Sequence, residues 1–524
     1  MLLIAKKKVE LSWAKIYLLT ALVYILSHSL MLIIYGAWWD DMLIWNVSPE
    51  FARQRYEIFN NPFVYYLRSA IFKIEDMHLM TFVCRLVPFI CWYVSVSMFF
   101  LVIKIITNNK PYTLYTSLLV ASCGLNKCMI LLSCYHYTIS IALFMIGMVF
   151  FLYDYYKSKV GYKILVSLFW TLSLLIWRSA ILVVPAAIFF SVLSRMKIEL
   201  KSKSFYLDFI KRVFYHYWII IVGLLVFAIL YKTILAPRGD YASYYSMSMK
   251  NLVLSPVTTL SSSVSLLLGY ISNIFSVFAQ GNENGFIMLV LLLALFIYLL
   301  RFTIKSSEDN KPKKTVLLAS CLFLFFSMMP HLLREFSFLF DINGYKTRVA
   351  ALAVFPISMI SAYLLMAIKK VKYRTLLFSA LVVLSIGYSV NTYLDYEKGW
   401  SKNEAIAKFF RVNDDLRGGD FVCIDNSQIY SPFRDEQYRL YDFEGCTRLA
   451  YGKYDTTAFY SLNGNNELNI IDKYLFIDTK EKINHIGIKS LVYRLLNSQK
   501  YDDLINRMLM FRIETDTDFN TRKK

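Results

Sequence analysis

The sequence is poor in charge for its length. Only 18% of its 524 residues are Asp, Glu, Lys or Arg, whereas 57% are hydrophobic. A soluble protein of this size exposes far more charge, so a soluble class is excluded. Segments of about 20 apolar residues recur as far as position 394, each long enough to cross the roughly 30 Å of a bilayer's hydrocarbon core. The composition therefore predicts an α-helical protein that crosses the membrane many times.

Motifs for soluble chemistry are also missing. The chain has no P-loop and no Rossmann glycine pattern, which disfavours a cytoplasmic nucleotide-sugar enzyme. It has no zinc-finger spacing or other nucleic-acid module, so its net charge of +20 does not indicate nucleic-acid binding. The first apolar stretch lacks a small-residue cleavage pattern, and we expect it to be a span rather than a removable signal peptide.

None of the eight cysteines shows metal-ligand spacing. Six of them lie in or beside apolar stretches and are expected to pack as small apolar residues. The other two, Cys423 and Cys446, fit either a disulfide in an oxidising compartment or two free buried thiols.

Basic residues define the predicted topology. Before Asp395 the chain has 37 Lys and Arg, of which 24 fall in six short segments between apolar stretches. Such clusters mark the cytoplasmic face. Placing them inside predicts a cytoplasmic N-terminus and 11 spans, at 14–36, 80–103, 112–133, 137–155, 164–178, 179–194, 214–234, 285–301, 315–333, 348–367 and 375–394.

The topology leaves a second outer loop and an outer tail. A twelfth span at 252–278 would place two basic clusters outside, so we interpret that stretch as an interfacial or re-entrant helix within an outer loop, 235–284. Residues 395–524 mix charges freely and predict a small α/β domain outside the membrane domain, 1–394. "GDFVCID" predicts a strand, Ser401 and Glu404 have the spacing of a helix start, and a helix is expected near 501–512.

The first outer loop, 37–79, opens with an acid pair at the membrane boundary. The run "IIYGAWWDD" ends a span in two tryptophans, followed at once by Asp40 and Asp41. Ionisable residues in such places usually line a cavity or pair with one another. The alternative is two solvated acids that merely end a span. Farther along, a proline and an acid after Ser48 predict helices lying on the membrane surface.

This arrangement resembles the GT-C superfamily of integral-membrane glycosyltransferases, with "WWDD" as the acidic motif. Its members take sugars from polyprenyl-phosphate carriers at the outer side of the membrane and carry a long first outer loop and often a soluble C-terminal domain. Size and composition are similar to those of the Gtr-type O-antigen glucosyltransferases. The resemblance implies an undecaprenyl-phosphate-linked glucose donor, a cell-surface glycan such as O-antigen as acceptor, a bacterial inner membrane and a periplasmic C-terminal domain.

The reaction assigns roles to the remaining charges. Asp40 or Asp41 is the predicted base, because the acceptor hydroxyl must lose a proton opposite the leaving phosphate. Positive groups must hold that phosphate as its charge grows. The candidates are Arg348 and Lys346 in "DINGYKTRV", followed by Arg178, Arg238 and Lys127. His136 and Arg85 are candidates for the acceptor or sugar.

Each of these residues also has an ordinary structural role open to it, either in an ion pair or, for His136, in an interfacial aromatic belt. Two adjacent carboxylates do not define a metal site, so no cofactor is predicted and metal dependence stays open.

Two other functions stay open as well. One is an O-antigen polymerase or ligase, and the other is a transporter or flippase of lipid-linked sugars, which predicts inverted repeats and charges deep within spans.

Overall fold

We describe the chain from a computed structural model. The described residues are 12–36, 64, 74, 76–124, 127–132, 134–157, 159–177, single positions and a short helical stretch between 207 and 233, 249–279, 293–296, 312–332, 351–429, 438–452, 455–460, 473–483 and 485–515.

The membrane part is mainly helical in its described ranges. In chain order its helices are α1 (Trp13–His28), α2 (Leu30–Ile33), α3 (Met77–Thr107), α4 (Lys110–Ser122), α5 (Tyr135–Lys157), α6 (Val160–Ile176), α7 (Met249–Ala279), α8 (Lys314–Leu332), α9 (Val354–Ala367) and α10 (Val371–Val412).

Within the described ranges, α3, α5 and α10 are long and apolar enough to cross a membrane, and α1, α6, α8 and α9 are shorter apolar helices. The chain is therefore a multi-pass membrane protein. The predicted count of 11 spans is not established, because the stretches 179–194, 214–234 and 285–301 lie wholly or largely outside the described residues.

Side-chain contacts fix the relative directions of the first helices. Tyr17 and Tyr93 share a hydrogen bond of 2.9 Å at one end of the α1–α3 pair, and Arg85 donates to the carbonyl of Gly36 at the other. The two helices are therefore antiparallel. α10 runs parallel to α1, because His28 at the end of α1 contacts the Tyr393 hydroxyl at 2.9 Å, whereas Gly36, farther along the chain, lies against Trp400, farther along α10.

α5 and α6 form a tight antiparallel hairpin. Ser140 and Ser173 each donate to the other's backbone carbonyl, at 2.9 and 2.8 Å. Nearer the loop, Gly147 lies so close to the Trp170 indole that a Cβ would overlap the ring. Small residues in this position let two helix backbones approach closely, which stabilises helix pairs in lipid by van der Waals contact.

α7 departs from the expected interfacial or re-entrant segment. It is one continuous helix of 31 residues, about 46 Å long. The hydroxyl of Tyr270, a buried residue, bonds Ser385, which lies in the middle of the predicted span 375–394, and Ser263 contacts the Met328 sulfur of α8 at 3.3 Å. A helix lying on the membrane surface would not reach that depth.

α10 connects the two predicted domains without a break. Its 42 residues pass straight through position 394 and continue to Val412. The expected helix start at Ser401 is therefore wrong, since Ser401 is buried inside the helix and donates to the carbonyl of Glu397. We call the side of the membrane that bears residues 395–515 the domain side.

The C-terminal domain has a small mixed sheet. Its elements are β1 (Asp420–Asp425), α11 (Leu440–Tyr451), β2 (Ala458–Tyr460), β3 (Lys473–Thr479), α12 (Ile486–Leu496), α13 (Ser498–Met508) and β4 (Leu509–Thr515). The strand order is β2-β1-β3-β4, with β2 and β3 parallel to β1 and β4 antiparallel to β3. The strand predicted from "GDFVCID" is confirmed as β1. The helix expected near 501–512 ends at Met508, where the chain turns into β4.

A buried ion pair joins α10 to the carboxyl end of β1, an inner strand of this sheet. Lys402, which is fully buried, contacts Asp425 at the end of β1 at 2.5 Å and donates to the carbonyl of Ile429 at 2.7 Å. Its ammonium group also lies 4.0 Å from the centre of the Tyr438 ring. Three kinds of partner thus compensate the cost of burying this charge.

Cys423 and Cys446 are free thiols in this domain. Burial raises the pKa of both groups well above the usual range. Thiols of this kind stay protonated and inert at neutral pH. The structure therefore agrees with the second of the two interpretations of these cysteines.

Candidate functional site

The first apolar segment ends at a tightly packed glycine on the domain side. Gly36 adopts φ +124°, a conformation that L side chains rarely adopt. A Cβ at this position would overlap the indole ring of Trp400, and Tyr35 packs edge-on against the same ring with the centroids 5.4 Å apart. The backbone turn before "AWWDD" therefore requires glycine for two reasons, its dihedral angle and its neighbour.

Arg85 of α3 binds the same turn. Its side chain is 1% exposed, and its Nη2 donates to the Gly36 carbonyl. A buried guanidinium needs acceptors to offset its lost hydration, and a helix end provides carbonyls that have no partner within the helix. The sequence made Arg85 a candidate for sugar binding, whereas its described contact holds the segment that leads to Asp40.

An ion pair from the C-terminal domain holds this end of the chain as well. Arg494 of α12 donates to the carbonyl of Ile33 at 3.0 Å. The same guanidinium binds both carboxylate oxygens of Glu397 at 2.9 and 2.8 Å, and Glu397 is fully buried on α10. Ser490 gives Glu397 a further hydrogen bond of 2.9 Å. The fork of arginine suits this task because it bonds a carboxylate with two donors and still reaches a carbonyl.

A second, half-buried acid lies about two turns farther along α10. The Tyr501 hydroxyl of α13 donates to the carboxylate of Glu404. Burial and the neighbouring negative charge of Glu404 raise the pKa of Tyr501 far above its usual range, so its hydroxyl remains a donor. The guanidinium of Arg494 also lies 6.0 Å from the centre of the Tyr35 ring. Charge of both signs therefore surrounds the end of the first apolar segment.

His136 lies in an aromatic cluster on the same side. Its ring packs against that of Tyr137, with the centroids 4.1 Å apart and the planes tilted by 36°. Tyr137 in turn packs edge-on against Trp177, with the centroids 5.3 Å apart. These residues are at the start of α5 and the end of α6. The start of α5 is on the domain side because the far end of this helix meets the far end of α3, where Tyr156 donates to the carbonyl of Ile105 at 3.3 Å. His136 is buried, which fits the aromatic interpretation of this position.

The remaining predicted site residues lie outside the described part of the chain: Asp40, Asp41, Arg178, Arg238, Lys346 and Arg348. Lys127 begins a 3-10 turn, Lys127–Ile130, and its side chain is likewise outside the described part. Chain connectivity still limits distances, because four residues span at most about 14 Å and this is the separation in sequence between Gly36 and Asp40. Arg178 follows Trp177 directly. Among the described residues, no group of three or more His, Cys, Asp or Glu is placed to hold a metal.

Several residues of this site were missed by sequence reasoning, among them Glu397, Trp400 and Arg494. Glu397 and Arg494 are 97 positions apart, and both fall in the tail that the sequence assigned to a separate domain. One signal was available for Glu397, since it lies in "DYEKGW", a charged extension directly after the apolar run of α10. Nothing local distinguishes Arg494 from the other basic residues of the tail.

Comparisons with known proteins identify a distant structural similarity. No family model and no curated protein matches the chain. Among solved structures, the chain is similar to ArnT from Cupriavidus metallidurans bound to undecaprenyl phosphate, with 7% identity and a TM-score of 0.40 over 89% of this chain and 93% of that one. This score is too low to establish a common fold, so the function proposed below rests on the residues of the chain itself.

Proposed function

We propose that this protein is an integral-membrane glycosyltransferase that moves a sugar from a polyprenyl-phosphate carrier to a glycan acceptor on the domain side of the membrane. The observation that carries the proposal is the fixed end of the first apolar segment. Arg85, Trp400 and Arg494 hold residues 33–36 in place directly before two adjacent carboxylates. A base for group transfer needs such fixed positioning, because small displacements from the reactive geometry cost much of the rate.

The position at the membrane boundary suits a donor that is lipid and an acceptor that is not. A solvated acid pair that only ends a span needs no buried arginine and no domain contact behind it. A donor whose phosphate lies at the headgroup level and an acceptor that approaches from the aqueous side meet at this boundary. The construction around Gly36 therefore favours a reactive role for Asp40 or Asp41 over a purely solvated one.

The reaction balances with the groups assigned to it. The acceptor hydroxyl oxygen attacks the anomeric carbon of the donor, and the bond from that carbon to the phosphate oxygen breaks. The lipid phosphate leaves with the bonding electron pair, while Asp40 or Asp41 takes the hydroxyl proton. The leaving phosphate needs cations to stabilise its growing charge, and we assign this role to Arg348 and Lys346 first, then to Arg178, Arg238 and Lys127.

The finer identity of the substrates rests on the GT-C resemblance. On that basis we propose an undecaprenyl carrier, a glucosyl group and an O-antigen-type acceptor in the periplasm of a bacterium. We place the C-terminal domain, 395–524, in that compartment and the N-terminus in the cytoplasm.

The test is to replace each aspartate by asparagine, which keeps the side-chain shape and removes the proton acceptor. Transfer from undecaprenyl-phosphate-glucose should fall by about 10²–10⁴-fold in the variant that lacks the base. The neighbouring substitution should cost less, because only one of the two carboxylates takes the proton. Asp76→Asn is the matched control, since this exposed acid caps α3 and an asparagine caps equally well.

Three outcomes decide between the candidate functions. Loss of transfer with unchanged membrane insertion supports the proposal. Full activity of both single variants and of the double variant would contradict it. A purified protein that moves lipid-linked sugar across a vesicle membrane, without consuming it when an acceptor is present, would identify a flippase instead.

A further inference from the structure

α12 lies across the base of the C-terminal domain, at the level where two apolar segments end. Near its start, Gly487 packs against the carbonyl of Leu394, and a Cβ there would come within 2.6 Å of that oxygen. Near its other end, Arg494 reaches the carbonyl of Ile33. Leu394 is the last residue of the predicted span 375–394, and Ile33 is the last residue of α2. Both ends of α12 are therefore fixed at the membrane boundary.

The face of α12 that points away from the protein is apolar. Gly487, Ser490 and Leu491 are buried on the face toward α10. The opposite face exposes Val492, Leu495 and Leu496, whose side chains are 40, 52 and 81% exposed. An aqueous surface would make this arrangement costly, because each of these side chains loses its hydrophobic contribution when it stays in water. At the membrane boundary the same side chains have lipid as a neighbour.

A basic cleft lies beside this face. It has a volume of about 440 Å³ between α12, α13 and the segment before α12, and its charged lining residues are Glu481, Lys482, Lys489, Lys500, Asp503 and Arg507. Arg507 and Glu481 pair with each other at 2.6 Å. Three lysines thus face one remaining acid. Lysines beside an apolar helix face attract anionic headgroups, whereas they repel a cationic surface.

We propose that the exposed face of α12 rests in the lipid leaflet on the domain side, and that the cleft beside it takes the headgroup of an anionic phospholipid. Val492, Leu495 and Leu496 contact acyl chains, while Lys489 and Lys500 contact the lipid phosphate. The lipid acts as a fixed platform below the C-terminal domain. This lipid takes no part in catalysis, so the binding of lipid at α12 is independent of the proposed function.

The test uses the full-length protein in nanodiscs, with a photoreactive benzoylphenylalanine placed at a single position. At Leu496 it should form adducts with lipid on illumination, detected by mass spectrometry. Val412 is the matched control, because it is 77% exposed on the same domain but lies 18 residues beyond Leu394 on α10, about 27 Å from the membrane boundary. We expect at least tenfold more lipid adduct at position 496 than at position 412.

The binding of an anionic headgroup by the lysines is tested in nanodiscs that mix phosphatidylcholine with phosphatidylglycerol. The phosphatidylglycerol share of the adducts at position 496 should exceed its share of the bilayer, and the pair of substitutions Lys489→Gln and Lys500→Gln should remove that excess. Arg417→Gln, at an exposed position of the same domain, should leave it unchanged. Equal lipid adducts at positions 496 and 412, adducts to protein at position 496, or no enrichment of phosphatidylglycerol would each overturn the proposal.

Discussion

Arg494 offers the sharpest test of how the two parts of the chain are joined. Replacing it by alanine removes two bonds to Glu397 and one to the carbonyl of Ile33. Glu397 is fully buried, so its carboxylate would be left without its charged partner in a low-dielectric site. Breaking a buried pair from one side typically costs about 3–5 kcal/mol. We expect the docking of the C-terminal domain on the membrane helices to weaken by that amount.

The chain contains a matched control for this change. Arg507 also binds a glutamate, Glu481, with two donors, at 2.8 and 2.6 Å, although both go to one oxygen, and the two side chains are 61 and 42% exposed. Water and salt screen such a pair, and exposed pairs contribute little. Arg507→Ala should therefore leave the thermal unfolding of the purified protein unchanged. The two variants remove the same chemical group and differ in burial.

Two measurements check the prediction. Thermal unfolding in detergent should shift to lower temperature for Arg494→Ala only, and limited proteolysis should separate the C-terminal domain from the membrane part more readily. Replacing both partners, as Arg494→Met with Glu397→Leu, should recover much of the loss, because no charge is then left buried. Equal unfolding temperatures for the Arg494 and Arg507 variants would refute the reasoning.

Three further predictions concern the turn at Gly36, the phosphate-binding cation and the topology. Gly36→Ala should lower both stability and transfer, because the glycine has a positive φ and an indole ring beside it. Gly161→Ala, in a helix with open space around it, should be neutral or slightly stabilising. Unfolding and activity assays compare the two variants. Arg348→Ala should lower turnover through loss of a charge-assisted bond worth about 1.5–3 kcal/mol, with insertion unchanged, and wild-type activity would remove it from the site. A topology reporter fused after Lys313 should read cytoplasmic and one after Lys398 should read outside. The reverse result at Lys313 would contradict a cytoplasmic start of α8.

Local sequence predicted much of the helical framework. The expected spans 137–155, 164–178 and 315–333 correspond to α5, α6 and α8 within a few residues. Such segments are long and apolar, and every backbone group inside lipid must be bonded within the helix, so hydropathy nearly determines the structure. The span expected at 112–133 ended early, at Ser122, because the chain there enters a 3-10 turn at Lys127–Ile130.

Predictions failed where distant residues decide the local conformation. The spacing of Ser401 and Glu404 suggested a helix start, yet the domain packs around this stretch of α10 and Ser401 is buried within it. The segment 509–515 has helical neighbours but forms β4, because β3 offers a partner strand with Arg512 opposite Phe476. Strand pairing and helix burial depend on what lies across the fold, which a local pattern does not contain.

By itself, the sequence determined that this protein is an integral membrane protein and roughly where its helices begin and end. It also showed that an acid pair follows the first apolar segment. Hydropathy and charge suffice for this, since lipid imposes the same requirement on every residue of a span. The tertiary structure alone decided that Arg85, Trp400 and Arg494 meet at Gly36. These residues come from three separate parts of the chain, and their contacts exist only once α3, α10 and α12 pack against the end of the first segment.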